Sequence, residues 1–220
     1  NKTEKKFCKD NLINRAAMEM IVGLRTQLLA QLRAIGLVKV KGLGDIKDVN
    51  QNSEKWFVVK AALVSGLYPS IARIDRESST LRTSKEVKLS FHPRSSLHIS
   101  RGKSGFIDSL KNIPSDWVVY EEIVKMGRSC FIRCNTITTA LTVALFGGPL
   151  RLSPTALKTN LPDLSDDSDS EKDEENDPPH TETSSLSIDD WIVFTATPRD
   201  AFMIYLLRQK FSALMIRRML

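Results

Sequence analysis

The chain has 220 residues, 41% of them hydrophobic and 26% charged, enough to bury a core as one large or two small domains. Its longest apolar run, "ALTVALFGGPL", is far too short to cross a bilayer, and no charged-then-apolar leader opens it, which argues against secretion and a membrane partner. The formal charge of +6 conceals an asymmetry: "SDDSDSEKDEEND" (165–177) holds eight acidic residues against one lysine, leaving 31 basic and 18 acidic residues, or +13, elsewhere. That balance points to a polyanion, nucleic acid ahead of an anionic membrane.

Taken in chain order, "NRAAMEMIVGLRTQLLAQLRAIG" (14–36) is the clearest helix. Ile21, Leu24, Leu28, Leu32 and Ile35 recur at helical spacing, Asn14 caps the start and Gly36 ends it. Such a stripe is expected to face a core. "GLGDIKDVNQN" (42–52) reads as a loop. A second helix, "SEKWFVVKAALVSG" (53–66), is expected to start at Asn52 or Ser53 and stop at Gly66, with Pro69 beyond.

From Tyr68 the period changes to that of strands. "SIARI" is a short one, and in "VKLSF" (87–91) Val87, Leu89 and Phe91 alternate with outward Lys88 and Ser90. "DWVVYEEIVKMG" (116–127) and "SCFIRCNTI" (129–137) are longer strands that Gly127 joins into a hairpin. "LTVALFGG" (141–148) suits a strand or a helix equally. The acidic, Ser- and Pro-rich stretch 161–187 cannot bury enough apolar area to order itself and is expected to be a disordered insertion. "DDWIVFTAT" (189–197) is a strand, after which Thr197, Pro198 and Asp200 open a closing helix, "RDAFMIYLLRQKFSALMIRRML". The order describes an α+β fold with a small closed β-barrel following a helical unit.

The enzyme classes the sequence invites do not survive inspection. "GKS" (102–104) imitates the end of a phosphate loop, but the first glycine of that motif would fall at position 97, which is Leu97, and "GFIDSLKNIPSD" is too short for the helix that should follow. Ser95, Ser96 and His98 are local neighbours without an orienting carboxylate. Glu121 and Glu122 are adjacent on a strand and point to opposite faces, which does not suit paired acid–base work. Cys8, Cys130 and Cys134 have no C-x-x-C spacing, and Cys130 and Cys134 lie about 13 Å apart along a strand. With His92, His98 and His180 they form no ligand set, so we expect no metal site and a reducing, cytoplasmic compartment, with the nucleus as the second candidate. The chain begins without a methionine, and we expect it to be a piece of a longer protein.

Four motifs carry a family resemblance. "FCKDNLINRAAMEMIVGLRTQLLAQLRAIGLV", "VVKAALVSGLYPSIARI", "VKLSFHPRSSL" and "WVVYEEIVKMGRSCFIRCNTIT" resemble, in this order, the C-terminal portion of DEAH-box RNA helicases over most of residues 7–150. "GDIKDVNQNSEKW", the acidic stretch and "DDWIVFTA…LLRQKFSALMIRRM" resemble more narrowly the 3′–5′ helicases that carry a YTH domain, extending the similarity to nearly the whole chain. The resemblance implies a helical ratchet-domain end over 1–66, an OB-fold barrel over 67–160, the acidic insertion over 161–187, and a returning strand and C-terminal helix over 188–220. It implies a parent ATP-dependent helicase whose ATP and magnesium site lies in upstream domains of the same chain, with no cofactor in this piece. In the YTH-containing relatives a domain reading N6-methyladenosine would lie beside or beyond it.

"FHPRSSL" supplies what a barrel needs to hold a single strand: Pro93 fixes a turn, Arg94 suits a phosphate, and Ser95 and Ser96 suit a phosphate or 2′-OH. His92 can stack on or hydrogen-bond a base. By the resemblance, His92 and Ser96 occupy the motif's positions, whereas Arg94 is this chain's own residue. Lys88, Arg101, Lys103, Lys125, Arg128 and Arg133 are candidates to extend the groove. The first functional reading is therefore an accessory region that grips single-stranded RNA near a motor. The alternative is a platform for a helicase-activating protein partner with little RNA contact. The acidic stretch reads as a solvated spacer, or as a competitor for the basic groove, more so if Ser165, Ser168 or Ser170 were phosphorylated.

Overall fold

A computed structural model describes residues 2–38, 50–78, 80–86, 88–98, 113–157 and 183–219. The chain divides into two compact units, Asn1–Asn52 with Leu214–Leu220, and Ser53–Ala213. The stretches expected to form the acidic insertion (except its end) and the 42–49 loop lie outside the described residues, as do Arg101, Lys103, Ser165, Ser168 and Ser170.

In the first unit α1 (Lys2–Asp10) and α2 (Arg15–Ala34) meet at a sharp turn. The Asn14 Oδ1 accepts the Ala17 N–H at 3.1 Å, capping α2 as its sequence predicts. Arg15 ties the helices together through Glu4 at 3.4 Å and pairs with Glu19 on its own helix at 2.8 Å. Gly36, at φ +76°, adopts the left-handed conformation that ends the run. The apolar stripe was expected to be covered and is not: Ile21, Leu24, Leu28, Leu32 and Ile35 are between 38% and 67% exposed. Periodicity identifies which face is apolar but carries no information about what packs on it.

The second unit opens with α3 (Trp56–Leu67), three residues later than its sequence suggests, with Lys55 at the N-cap position making no side-chain cap bond. Val64 on α3 is fully buried beside Ile71 and Trp117. This helix thus belongs to the barrel's unit, and the unit boundary falls at Asn52–Ser53 where the sequence suggested 66–67.

Next come β1 (Ile71–Asp75), β2 (Thr80–Arg82) and β3 (Leu89–Phe91), an antiparallel meander. The two long strands expected from the sequence are each present as two segments, β4 (Trp117–Val119) with β5 (Glu122–Met126), and β6 (Ser129–Arg133) with β7 (Thr136–Thr138). One antiparallel register runs through all four, from Trp117↔Thr138 to Met126↔Ser129, so they form a single bent hairpin. Gly127, at φ +63°, heads its two-residue turn, the left-handed position for which glycine is suited.

The bend lets each long strand serve two neighbours. On the 117–126 strand β4 pairs with β1, with Ile71↔Val119; on the 129–138 strand β6 pairs in parallel with β3, with Leu89↔Cys130. Tyr120 N–H donates to Ser70 O and Glu121 N–H to Arg133 O, which keeps the ladders unbroken through the bend. Pairing therefore runs round a closed ring: β1, β2, β3, the 129–138 strand, the 117–126 strand and back to β1. Ala72, Ile74, Leu81, Leu89, Phe91, Val118 and Ile132 point inward and fill it. No side-chain cavity of ligand size is needed, because a barrel of so few strands is filled by its own side chains.

The ambiguous 141–148 run is a helix, α4 (Ala140–Phe146), because the Thr139 hydroxyl accepts the Thr142 N–H at 3.2 Å and starts it. After it come β8 (Leu150–Leu152) and the short α5 (Pro154–Leu157). Then β9 (Ser184–Ile188) and β10 (Ile192–Ala196) complete a three-stranded sheet in the order β10-β9-β8. Residues 184–187 were expected to fall in the disordered insertion and instead form most of β9. Ser184, Leu186 and Ile188 alternate inward, and the two aliphatic residues join the core. The final helix α6 (Pro198–Met219) is capped by Thr197, whose Oγ1 accepts the Asp200 N–H at 3.1 Å. Arg208 on α6 donates to Ala144 O at 2.6 Å, Gly147 O at 3.1 Å and Gly148 O, closing the C-terminal end of α4.

Candidate nucleic-acid interface

The parallel β3–β6 pair directs the chain out of the barrel beside the hairpin's bend. His92 follows β3, and its N–H extends the ladder by donating to Ile132 O at 3.1 Å. Pro93 then turns the chain: the Ser95 N–H donates to His92 O at 2.8 Å, and the Arg94 N–H to the His92 Nδ1 at 3.1 Å. The second contact fixes the imidazole, since a nitrogen that accepts cannot carry the proton; in the neutral ring the N–H is at Nε2. The Phe131 ring packs edge-on at 6.2 Å between centroids and holds the imidazole from the side.

Opposite this loop, Cys134 takes φ +49° where β6 ends. That left-handed residue breaks the strand and sets Asn135 against the loop. The Leu97 N–H donates to Ser95 Oγ at 3.1 Å, Ser95 Oγ to Asn135 Oδ1 at 3.0 Å, and Asn135 Nδ2 to Ile132 O at 3.4 Å. All three bonds run in one direction, each group polarising the next. Between the two walls lies a cleft of about 330 Å³ lined by His92, Arg94, Ser95, Ser96, Arg133, Cys134 and Asn135.

The cleft thus gathers five of the ten residues expected from the sequence: His92, Arg94, Ser95, Ser96 and Arg133. They do not play equal parts. Arg94 and Ser96 are exposed, and no carboxylate meets the Arg94 guanidinium among the described residues. Ser95 is engaged on both sides and shapes the loop. Arg133 shares its charge with Glu122, directly across the hairpin at 2.8 Å. Burial is slight at Cys134, and the Glu121 carboxylate, the main influence, holds its thiol above the ordinary value.

Lys88, Lys125 and Arg128 lie elsewhere. Leu89 is level with Cys130 in the parallel register, which puts Lys88 beside Ser129, and Lys125 faces Cys130. With Arg128 in the turn, they sit toward the far end of the hairpin, about 10 to 16 Å along the strand from Arg133. Arg101 and Lys103 lie outside the described residues. The sequence reading missed Cys134 and Asn135, because only the bend at the end of β6 brings them to the loop. The signal available was "CN" interrupting an alternating run, a pair suited to a left-handed turn.

A closed ring of five strands, with the third and fifth parallel, defines the class of this unit. Residues 59–150 match the family described as "Oligonucleotide/oligosaccharide-binding (OB)-fold", and the barrel is an OB-fold. The wider chain is homologous to part of DExH/DEAH-box RNA helicases. It is 25% identical over 154 residues to the DExH-box ATP-dependent RNA helicase DExH6 of Arabidopsis thaliana, covering 68% of this chain and 11% of that protein. With the mouse ATP-dependent DNA/RNA helicase DHX36 it shares 22% identity over 219 residues, or 96% of this chain and 18% of the relative. Protein benign gonial cell neoplasm of Drosophila melanogaster is 31% identical over 158 residues, 70% of this chain and 12% of the relative. The chain therefore spans less than a fifth of the length of these relatives.

Proposed function

We propose that this chain is the RNA-binding accessory region of an ATP-dependent 3′–5′ RNA helicase, and that it grips single-stranded RNA in the cleft between the 92–98 loop and Cys134–Asn135. The observation that carries the reading is the convergence of Arg94, Ser96 and the His92 imidazole in one cleft on an OB-fold. Arg94 meets a phosphate, Ser96 a phosphate or 2′-OH, and His92 a base. OB-folds hold single strands through such combinations of charge and stacking. Upstream domains of the same chain would hold ATP and magnesium and do the hydrolysis. The narrower reading, a helicase of the YTH-containing kind acting in the cytoplasm and secondarily the nucleus, rests on the resemblance of residues 44–56 and 189–219.

The test is the affinity of the 220-residue chain for a labelled single-stranded RNA as a function of salt. Affinity is expected to fall steeply with salt, and Arg94→Ala to reduce the slope of log K against log salt by about one. His92→Ala with Arg94→Ala should weaken binding at every salt concentration. Binding without salt dependence, or a double variant indistinguishable from the parent, overturns the reading in favour of the protein-platform alternative.

A further inference from the structure

Among the described residues, the 92–98 loop is held mostly by its own bonds. The Arg94 N–H donates to His92 Nδ1, the Ser95 N–H to His92 O, the Leu97 N–H to Ser95 Oγ and the His98 N–H to Ser95 O. The His98 Nδ1 donates to Phe91 O at 3.0 Å and closes the loop on its own root. The strand ladder ends at the bond from His92 N–H to Ile132 O. Beyond it, one hydrogen bond among the described residues joins the loop to the opposite wall: Ser95 Oγ donates to Asn135 Oδ1 at 3.0 Å. Both partners are half-buried, whereas Arg94 and Ser96, on either side of Ser95, are exposed. Asn135 is itself anchored to the core strand, through its Nδ2 bond to the O of the fully buried Ile132 at 3.4 Å and through the left-handed Cys134 before it.

We infer that Asn135 is a positioning residue for RNA: it acts through Ser95, setting the directions in which Arg94 and Ser96 leave the loop. The inference rests on the proposed RNA-binding role and adds to it the group that orders the binding loop. Ser95 is the residue between the two proposed contacts, and its hydroxyl is drawn to the far wall. The directions of Arg94 and Ser96, one residue to either side, follow from the backbone that this bond holds. Without it the loop keeps its internal turns but swings about its root, and binding then carries the cost of ordering it. An amide suits the task because it has an acceptor and a donor on one planar group, so it takes the Ser95 proton and holds to Ile132 O together. It is also neutral, and sets no negative charge against the phosphate assigned to Arg94.

The experiment measures the affinity of the 220-residue chain for a labelled single-stranded RNA, at a temperature well below the unfolding of every variant. Asn135→Ala is expected to weaken binding about three- to tenfold, within the range that one neutral hydrogen bond spans. Ser95→Ala breaks the same bond from the other side, and adding Asn135→Ala to it should weaken binding by less than about twofold more. In an Arg94→Ala background Asn135→Ala should likewise lose most of its effect. An Asn135 that contacts RNA itself would give additive losses in both backgrounds. One that serves only the barrel's stability would lower Tm and leave the affinity of the folded chain unchanged. Either result overturns the inference and leaves RNA binding intact. Hydrogen exchange in the unliganded chain gives a readout that needs no RNA: Asn135→Ala should speed exchange of the Ser95, Leu97 and His98 amides severalfold while the β3–β6 ladder keeps its protection. Unchanged exchange in the loop overturns the inference as well. A parent chain that binds no RNA removes the RNA-binding role itself, and the positioning role with it.

Discussion

Arg208 ties the last helix to the end of α4 by hydrogen bonds, beside the packing of Ala201 against Ala144 and of Phe211 on Phe146. Its guanidinium donates to three carbonyls, at Ala144, Gly147 and Gly148, where α4 ends and no further turn supplies N–H groups. Burial holds its pKa below the ordinary value, with the Tyr68 hydroxyl acting weakly in the opposite direction; the three carbonyls compensate for the lost water. Removing the fork by Arg208→Met leaves those acceptors without a donor. Each charged hydrogen bond contributes about 1.5–3 kcal/mol net. Three bonds share one cation in a half-exposed position, however, and water will restore part of the loss. The expected cost is about 2–4 kcal/mol. For a protein of this size that lowers Tm by about 2–4 °C per kcal/mol, or roughly 6–12 °C at the middle of the range. Arg208→Lys keeps a charge near the helix C-terminus but cannot span three carbonyls, and should recover less than half. Thermal and urea unfolding followed by circular dichroism measure both. If Arg208→Met unfolds within about 0.5 kcal/mol of the parent, the scatter expected of an ordinary surface change, the fork does not hold the layer.

Two more predictions concern the same layer. A Cβ on Gly148 would lie 2.5 Å from Tyr68 ring carbons, and the ring is held by the hydrogen bond from its hydroxyl to Asp189. Gly148→Ala should therefore cost about 1–3 kcal/mol as overpacking does, and much less in a Tyr68→Ala background; equal costs in a double-mutant cycle would refute the steric account. Burial, then the Asp189 bond, push the Tyr68 pKa up, and burial does the same for Tyr120. Both phenols are thus kept neutral in the folded state. Their stabilisation is complete below the unfolded value of about 10 and is lost as pH rises beyond it, with a slope of at most about 1.4 kcal/mol per pH unit for each. Urea unfolding between neutral and strongly alkaline pH should show Tyr68→Phe losing stability less steeply than the parent.

The sequence made the hairpin legible, because two alternating runs flank a glycine in the only place a two-residue turn could fit. It made the caps at Asn14 and Thr197 legible for the same local reason, whereas the Thr139 cap, and with it the helix it starts, was left open. What it could not show is that each long strand changes partner halfway. The register of the β3–β6 pair joins residues some forty positions apart, and no local pattern encodes it. The site divides along the same line. His92, Arg94, Ser95 and Ser96 are consecutive or nearly so, and a His-Pro turn announces them. Asn135 becomes part of the cleft only through a left-handed residue that ends a strand elsewhere in the chain. Lys88, Lys125 and Arg128 were grouped with the loop by charge alone, and the parallel register carries them to the opposite end.

The ring closes through two seams, β1 with β4 and β3 with β6, and the cleft is built across the second of them. Its loop wall continues β3 and its other wall continues β6, so the walls exist as a pair only when that seam is zipped. Any ligand that touches both is linked to closure: it binds the sealed barrel and not the open one, and its free energy of binding is added to the seam by mass action. Occupied, the OB-fold becomes a stiffer anchor for whatever lies on either side of it in the chain; empty, the β3–β6 seam is held by its own ladder without that added free energy.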